Sequence, residues 1–458
     1  MEHRHEDQSP SLWMSPLSFN PTDEGYVLSG SRRLLDGQTP HRDYLSLRPV
    51  GSHLLHAHLL LWAGDRAVLW SRTLAWAQMA LLAWLWLCLA RWAFELKLTA
   101  WHRFGLAFVG LAAAAHTWPV RPWNALDGLL LLSAGMALSL CASRTVREAG
   151  ILAMGASLVF RQSFAFPVPV ALWLLGLAGD VGAWVLAATP MILYLMGLFF
   201  VEALPDGLLQ MTVEGHTVST ALGVLDNLPR FLGGLVLGAA AAGLAARVAS
   251  PGPALPSPAQ GAAALWPCFA ALILTREERH EQRIRPAGGA ALLLALVVVS
   301  GGTLHYHRTH GLYLDLPASR LDRPLDGVLA GAAGIRTSQT THDFLEDLAG
   351  NVAWVRARGK RYSVVPQVAQ FWATSPQQNP LFSDWPFDGE LMHPLCRLKV
   401  LAQIEALRGS VLFVVQKHDA STLAGKKVRY TRRQCAVRDR IMDLCRRVRE
   451  TDYFEVYE

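Results

Sequence analysis

The chain has 458 residues, of which 52% are hydrophobic and only 17% are charged. A soluble protein of this length carries about a quarter charged residues, so the composition argues against an entirely soluble chain. The formal net charge is +6, but no nucleic-acid recognition motif accompanies it. We therefore expect no nucleic-acid partner and assign the excess of basic residues to contacts with membrane lipids.

The N-terminal part is polar. Residues 20–49 read NPTDEGYVLSGSRRLLDGQTPHRDYLSLRP and precede a long series of apolar runs. The adjacent acids Asp23 and Glu24 fit the first turn of a helix, with Thr22 or Asp23 as its cap. They also fit a functional pair at a membrane boundary, and spacing alone does not decide between the two interpretations.

Charged residues are sparse between about residues 54 and 304, where apolar runs approach the ~20 residues of a membrane-spanning helix. The predicted spans are 67–89, 104–118, 125–141, 181–201, 231–246 and 287–304. The stretch 151–177 contains Arg161, so we predict two short spans that meet at a polar turn. The run 262–275 is short and is either a span or a partial insertion.

Orientation follows from basic residues in the short loops, because cytoplasmic loops are enriched in Lys and Arg. The pairs Arg91 with Arg103 and Arg144 with Arg147 mark two loops as cytoplasmic and place residues 23–49 on the outer side. The histidines at 53, 56 and 58 match no standard zinc spacing.

After about residue 310 the pattern becomes that of a soluble α/β domain. We predict a helix over 342–359, strands over 361–366 and 410–416, a helix over 435–450 and a final strand over 452–458. An acidic and aromatic loop, NPLFSDWPFDGEL at 379–391, lies between them. The predicted fold is thus an α-helical multi-span membrane protein with a C-terminal soluble α/β domain. Its parts are a polar segment and first loop at 1–66, a membrane domain at 67–304 and the soluble domain at 305–458.

The first polar segment resembles a known family. Asp23 and Glu24 are followed by the aromatic Tyr26, and the residues from Gly37 to Tyr44 match a G-x-x-P-x-x-D-[YF] segment. These features, together with a Pro-containing turn after Arg48, resemble the first extracytoplasmic loop of GT-C glycosyltransferases of the protein-mannosyltransferase-like type.

The resemblance implies an enzyme of the inner (cytoplasmic) membrane, multi-pass, that moves a sugar from a polyprenyl-phosphate carrier to a cell-envelope glycan, lipid or protein. In that family the first-loop acid is the catalytic base or contributes to a metal site. Asp23 is the candidate base, Glu24 the alternate and Asp43 a second carboxylate. Tyr26 is a candidate substrate contact.

Guanidinium groups suit the departing phosphate, because their forked donors match its oxygens. The candidate phosphate-binding residues are Arg42, Arg48, Arg161 and Arg276. No residue is assigned as a metal ligand, and the need for a divalent cation such as Mg²⁺ or Mn²⁺ is left open.

Two other functions compete with sugar transfer. A membrane transporter would use Arg161, Asp127 and Glu202 as intramembrane polar groups. An inactive scaffold would retain the fold without the reaction. The family places a membrane span before the first-loop acid and this sequence shows none; a displaced start, a truncated gene and the loss of an element each account for that difference.

Overall fold

The structure is a computed structural model that describes residues 15–93, 98–117, 120–212, 315–425 and 427–458, together with 294, 296–298, 300–302, 304–306 and 309. The predicted spans at 231–246 and 262–275, more than half of the predicted span at 287–304, and Arg276 lie outside the described residues. The chain divides into two compact units. The first comprises Met1–Leu74, Gly197–Val213 and Thr309–Glu458, and the second comprises Ala75–Met196 and Glu214–Arg308.

Helices dominate the part of the chain before residue 213. They are α1 (Asp23–Leu35), α2 (Gly51–Ala63), α3 (Ala67–Ala93), α4 (Ala100–Thr117), α5 (Asn124–Ser139), α6 (Arg144–Ala156), α7 (Pro167–Leu174), α8 (Val181–Phe200) and α9 (Leu204–Met211). Short 3₁₀ turns occupy Gly64–Arg66, Ser157–Val159 and Gln162–Ala165.

The C-terminal part alternates strands and helices. The elements are β1 (Arg323–Pro324), β2 (Arg336–Thr337), α10 (Gln339–Arg356), β3 (Arg361–Val365), α11 (Ala369–Thr374), α12 (Pro394–Leu407), β4 (Val411–Gln416), α13 (Ala436–Leu444), β5 (Arg447–Glu450) and β6 (Phe454–Tyr457). The short strands β1 and β2 pair with each other, and the other four form one sheet in the order β3-β4-β6-β5.

The sheet of the first unit is covered on both faces. Along β4, Leu412 and Val414 contribute to the cluster that contains α10, whereas Phe413 and Val415 contribute to the cluster that contains α12 and α13. Successive side chains of a strand point to opposite faces, so a strand buried on both sides reads as a continuous apolar run. This explains the sequence VLFVVQ, in which every residue is buried.

The predicted C-terminal elements are largely confirmed. The helix predicted over 342–359 is α10, and the strands predicted over 361–366, 410–416 and 452–458 are β3, β4 and β6. The helix predicted over 435–450 is wrong in its second half, because α13 ends at Leu444 and the chain continues as β5. The predicted domain boundaries at 66 and 304 stay predictions.

The second unit is a packed helical body. A side chain at Gly135 of α5 would lie 2.6 Å from the carbonyl oxygen of Gly150 in α6, so these helices approach closely only because both positions lack a Cβ. Within the same unit, the buried Gln78 amide donates to Asp127 Oδ1 at 2.6 Å. Asp127 is therefore accommodated as a satisfied polar group of a helical core.

The prediction of a multi-span membrane fold is wrong. Within the described residues, two helical stretches, Gly51–Ala93 and Val181–Phe200, are long and apolar enough to cross a membrane. Buried core helices of soluble proteins also meet this criterion. The 18-residue window that meets it is 44% buried in Gly51–Ala93 and 17% buried in Val181–Phe200.

The predicted spans at 125–141 and 151–177 form short helices, because apolar composition does not show where a helix stops. The run at 125–141 forms α5, which at 1.5 Å per residue is about 24 Å long and shorter than a ~30 Å hydrocarbon core. The stretch 151–177 does break at Arg161, as predicted, but α7 behind it has only 8 residues.

The docking of α1 depends on one glycine. A Cβ at Gly25 would overlap the backbone of Ala369 and Gln370, at the start of α11. The Gln370 amide donates to the carbonyl oxygen of Pro21 at 3.2 Å across the same contact. Backbone atoms cannot rotate away as a side chain can, so this position admits glycine alone.

We expect Gly25→Ala to lower the free energy of unfolding by about 1–3 kcal/mol, because the added methyl forces α1 away from α11. The matched control is Gly350→Ala, an exposed glycine within α10 whose added Cβ meets nothing within 4 Å. The control should raise stability by about 0.5–1 kcal/mol through helix propensity. Thermal unfolding of the full chain measures both, and equal unfolding temperatures for the two variants would contradict the close contact.

Candidate active site

A small polar cavity lies within the first unit, between α1, the loop that precedes α2, and the loop 379–391. Its lining residues are Tyr26, Ser29, Gly30, Tyr44, Leu45, His53, Ser383, Asp384, Trp385 and Glu390. The volume open to the centre of a water molecule is about 20 Å³. A single water needs about 10–15 Å³ on this measure, so the cavity admits a water or a hydroxyl group but not a sugar ring.

The resemblance motif in residues 37–44 has a structural explanation. Gly37 has φ +79° and ends α1, with its amide donating to the carbonyl oxygen of Leu34 at 3.0 Å. Asp43 Oδ2 accepts from the Thr39 amide at 2.7 Å and closes the following turn. The Tyr44 hydroxyl lies 3.3 Å from His53 Nδ1. Gly37, Asp43 and Tyr44 therefore shape the loop that lines one wall of the cavity.

A buried ion pair connects α1 to the loop 379–391. Arg33 donates from Nε to Asp384 Oδ2 at 2.7 Å and from Nη2 to Asp384 Oδ1 at 2.6 Å. The same guanidinium donates to the carbonyl oxygen of Leu381 at 2.8 Å, and Asn379 donates to Asp384 Oδ1 at 3.0 Å. With both side chains under 10% exposed, this forked pair fixes the loop that carries Trp385 and Glu390.

A second buried ion pair engages Glu24. Arg72 of α3 donates from Nε to Glu24 Oε1 at 2.8 Å and from Nη2 to the same oxygen at 2.5 Å. Arg72 also donates to the carbonyl oxygens of Ser15 and Ser18, each at 2.6 Å. Glu24 therefore helps to hold the segment that leads into α1.

The charges near the cavity come from different parts of the chain. Asp23 begins α1 and is half-buried, and Arg48 lies just before α2 with its guanidinium carbon 5.1 Å from the centroid of the Tyr26 ring. Glu390 is buried, and burial raises the pKa of its carboxyl to about 7; the nearby Arg48 opposes that rise and the charge of Asp23 adds to it. A carboxyl group with a pKa near neutrality can exchange a proton at physiological pH.

Some buried polar atoms of the lining residues have no hydrogen-bond partner among the described residues. They include Glu390 Oε2, His53 Nε2 and Trp385 Nε1. Buried polar atoms normally have protein or water partners, and leaving one unpaired costs about 1–3 kcal/mol. A water or a substrate hydroxyl in the cavity would satisfy them.

The other predicted site residues lie elsewhere. Arg42 and Asp43 form an exposed forked pair, with Nε to Oδ1 at 2.9 Å, and the hydrogen bonds from Arg42 hold the pKa of Asp43 below its usual value. Arg42 also donates to the carbonyl oxygen of Val201 at 3.0 Å. Arg161 belongs to the second unit, and Arg276 is outside the described residues.

The donor set around the cavity does not suit a divalent cation. Asp384 is engaged by Arg33, and the positive charge of Arg48 acts on both Asp23 and Glu390. A cation site needs several oxygen ligands that are free of competing positive charge. In the part of the chain that the structure describes, the one group of ligands close enough to share an ion is His342, Asp343 and Glu346 on α10.

Sequence reasoning did not assign Glu390, His53 or Arg33 to the site. Glu390 and Asp384 belong to the loop 379–391. The acidic and aromatic composition of this loop is the sequence feature that could have indicated a functional site there. Arg33 and Asp384 are 351 positions apart, and no local pattern indicates that they pair.

No family model, curated protein or solved structure matches this chain. The residues of the cavity are therefore the basis for any functional proposal.

We expect Arg33→Ala to lower the free energy of unfolding by about 3–5 kcal/mol, because it leaves the Asp384 carboxylate buried without its cation. Arg32→Ala is the matched control in the same helix. Arg32 is 41% exposed and pairs with Asp36 at 3.1 Å, so its loss should cost about 0–1 kcal/mol. Chemical denaturation of both variants measures these free energies of unfolding. A decrease below about 1 kcal/mol for Arg33→Ala would show that the buried pair does not anchor the loop.

Proposed function

We propose that this protein transfers a sugar from a polyprenyl-phosphate carrier to an acceptor hydroxyl, with Asp23 as the general base. The observation that supports it most is the position of Arg48, whose guanidinium carbon lies 5.1 Å from the centroid of the Tyr26 ring in the cavity wall. The charges of Arg48 and Asp23 both reach the buried Glu390 and shift the pKa of its carboxyl in opposite directions. Arg48 lies three residues before Gly51–Ala93, one of the two stretches long and apolar enough to cross a membrane. A lipid-linked phosphate would meet protein at such a position.

The reaction requires a general base and a positively charged side chain. The acceptor oxygen attacks the anomeric carbon of the donor sugar as its proton passes to the Asp23 carboxylate. The bond between the anomeric carbon and the phosphate oxygen breaks, and its electron pair leaves with the polyprenyl phosphate. The guanidinium of Arg48 stabilises the negative charge on that departing group.

The cavity has a defined part in this proposal. Asp23 and Arg48 are not among its lining residues, so in this proposal the cavity binds a water or a neighbouring hydroxyl group of the acceptor, and the reacting hydroxyl lies outside it, beside Asp23. Trp385 lines the cavity with its ring 6.0 Å from that of Tyr26, and aromatic rings of this kind pack against the apolar faces of sugars. Glu390, protonated or ionised near pH 7, can donate to or accept from the bound hydroxyl.

Glu24, the alternate base, has a structural role in this proposal because Arg72 already engages it. Asp43 is likewise engaged by Arg42. The identity of the sugar and of the acceptor, and the multi-pass inner-membrane location, stay predictions.

We expect Asp23→Asn to reduce sugar transfer by about 10²–10⁴-fold, because the amide cannot take the acceptor's proton. The measurement is the release of polyprenyl phosphate from a panel of synthetic polyprenyl-phosphate hexoses and pentoses, incubated with membranes that contain the full chain. The folded state is checked by the unfolding temperature, which should change little.

The control is Asp322→Asn, which removes a carboxylate of the first unit that is 71% exposed. It should leave turnover unchanged. Turnover by Asp23→Asn at the wild-type rate would remove Asp23 from the mechanism, and no release from any donor by the wild-type chain would refute sugar transfer itself.

A further inference from the structure

A larger groove of about 670 Å³ lies on the C-terminal sheet. It is bounded by the C-terminal end of α10, by Lys360 just before β3, and by the edge strand β5. The lining residues are Trp354, Arg358, Lys360, Leu412, Arg446, Arg447, Val448 and Glu458. This volume is within the range of pockets that bind discrete small molecules, which is about 300–1,000 Å³.

The groove carries an excess of positive charge. Its acidic side chain, Glu458, lies 3.4 Å from Lys360, and Arg447 pairs with Glu450 at 2.7 Å. Arg358 and Arg446 pair with no carboxylate among the described residues. Two exposed guanidinium groups therefore remain available to an anion.

Trp354 restricts the motion of the cationic side chains. The guanidinium carbon of Arg358 lies 3.4 Å from the centroid of the Trp354 ring, and that of Arg449 lies 5.2 Å from it. Arg358 also donates to the carbonyl oxygen of Trp354 at 3.0 Å. A guanidinium already held by cation–π contact and a hydrogen bond loses less conformational entropy when it binds an anion.

We infer that this groove binds a phosphorylated saccharide, with the phosphate between Arg358 and Arg446 and the sugar ring against Val448. Forked guanidinium donors match phosphate oxygens, and the partly exposed side chain of Val448 offers an apolar surface for the C–H face of a sugar. This inference does not depend on sugar transfer at the cavity beside Asp23.

The test is calorimetric titration of the purified full chain at constant ionic strength with four probes: glucose 6-phosphate, glucose, inorganic phosphate and phosphatidylglycerol vesicles. Glucose 6-phosphate should bind more tightly than inorganic phosphate, and glucose should not bind measurably. Arg358→Gln and Arg446→Gln should each weaken glucose 6-phosphate binding at least roughly tenfold, since each removes a charge-assisted hydrogen bond to the phosphate.

Arg432→Gln is the matched control, because Arg432 is an exposed arginine that pairs with Asp443 at 3.2 Å and does not line the groove. It should leave the affinity unchanged. Unfolding temperatures establish that each variant is folded. If Arg358→Gln or Arg446→Gln does not fold, Arg449→Gln takes its place, because Arg449 also contacts the Trp354 ring. Three results would overturn the inference: no binding of glucose 6-phosphate, binding that all variants retain, or arginine-dependent binding of the vesicles alone.

Discussion

The first unit depends on the docking of α1 against segments that lie more than 300 residues further along the chain. Gly25 lets the helix backbone contact that of Gln370, and Arg33 holds Asp384 through two hydrogen bonds of 2.6 and 2.7 Å. Without this docking, the acid at the start of α1 and the loop that carries Glu390 would have no reason to meet. The cavity is therefore a consequence of long-range packing.

The electrostatic character of the cavity follows from this arrangement. Burial favours the neutral form of Glu390, the carboxylate of Asp23 favours it further, and Arg48 favours the ionised form. The result is a carboxyl group whose protonation changes near neutral pH in a space that fits one hydroxyl group. Such a carboxyl group can donate a hydrogen bond or accept one. In the proposed function Asp23 takes the acceptor's proton, and Glu390 contacts a bound hydroxyl group.

The sequence predicted local elements well and long-range associations poorly. The apolar run of β4 and the amphipathic period of α10 are local patterns, and both elements were predicted. The run after Cys435 was predicted as one helix, although its charged residues from Arg447 to Glu450 form an edge strand. Hydropathy overestimated the spans because a packed helix such as α5 is as apolar as a membrane helix although it is shorter. Asp23 and Arg48 could be singled out from a local motif, whereas Glu390 could be found only once the fold placed its loop against α1.

The shared electrostatic environment of Asp23, Arg48 and Glu390 is the central claim. The most direct measurement is the pKa of the Glu390 carboxyl, followed by isotope-edited infrared spectroscopy in the wild-type chain and in the variants Asp23→Asn and Arg48→Gln. The account predicts a wild-type pKa near 7, a lower value when the charge of Asp23 is removed, and a higher value when that of Arg48 is removed. A Glu390 carboxyl that titrates at its ordinary value and responds to neither substitution would contradict it.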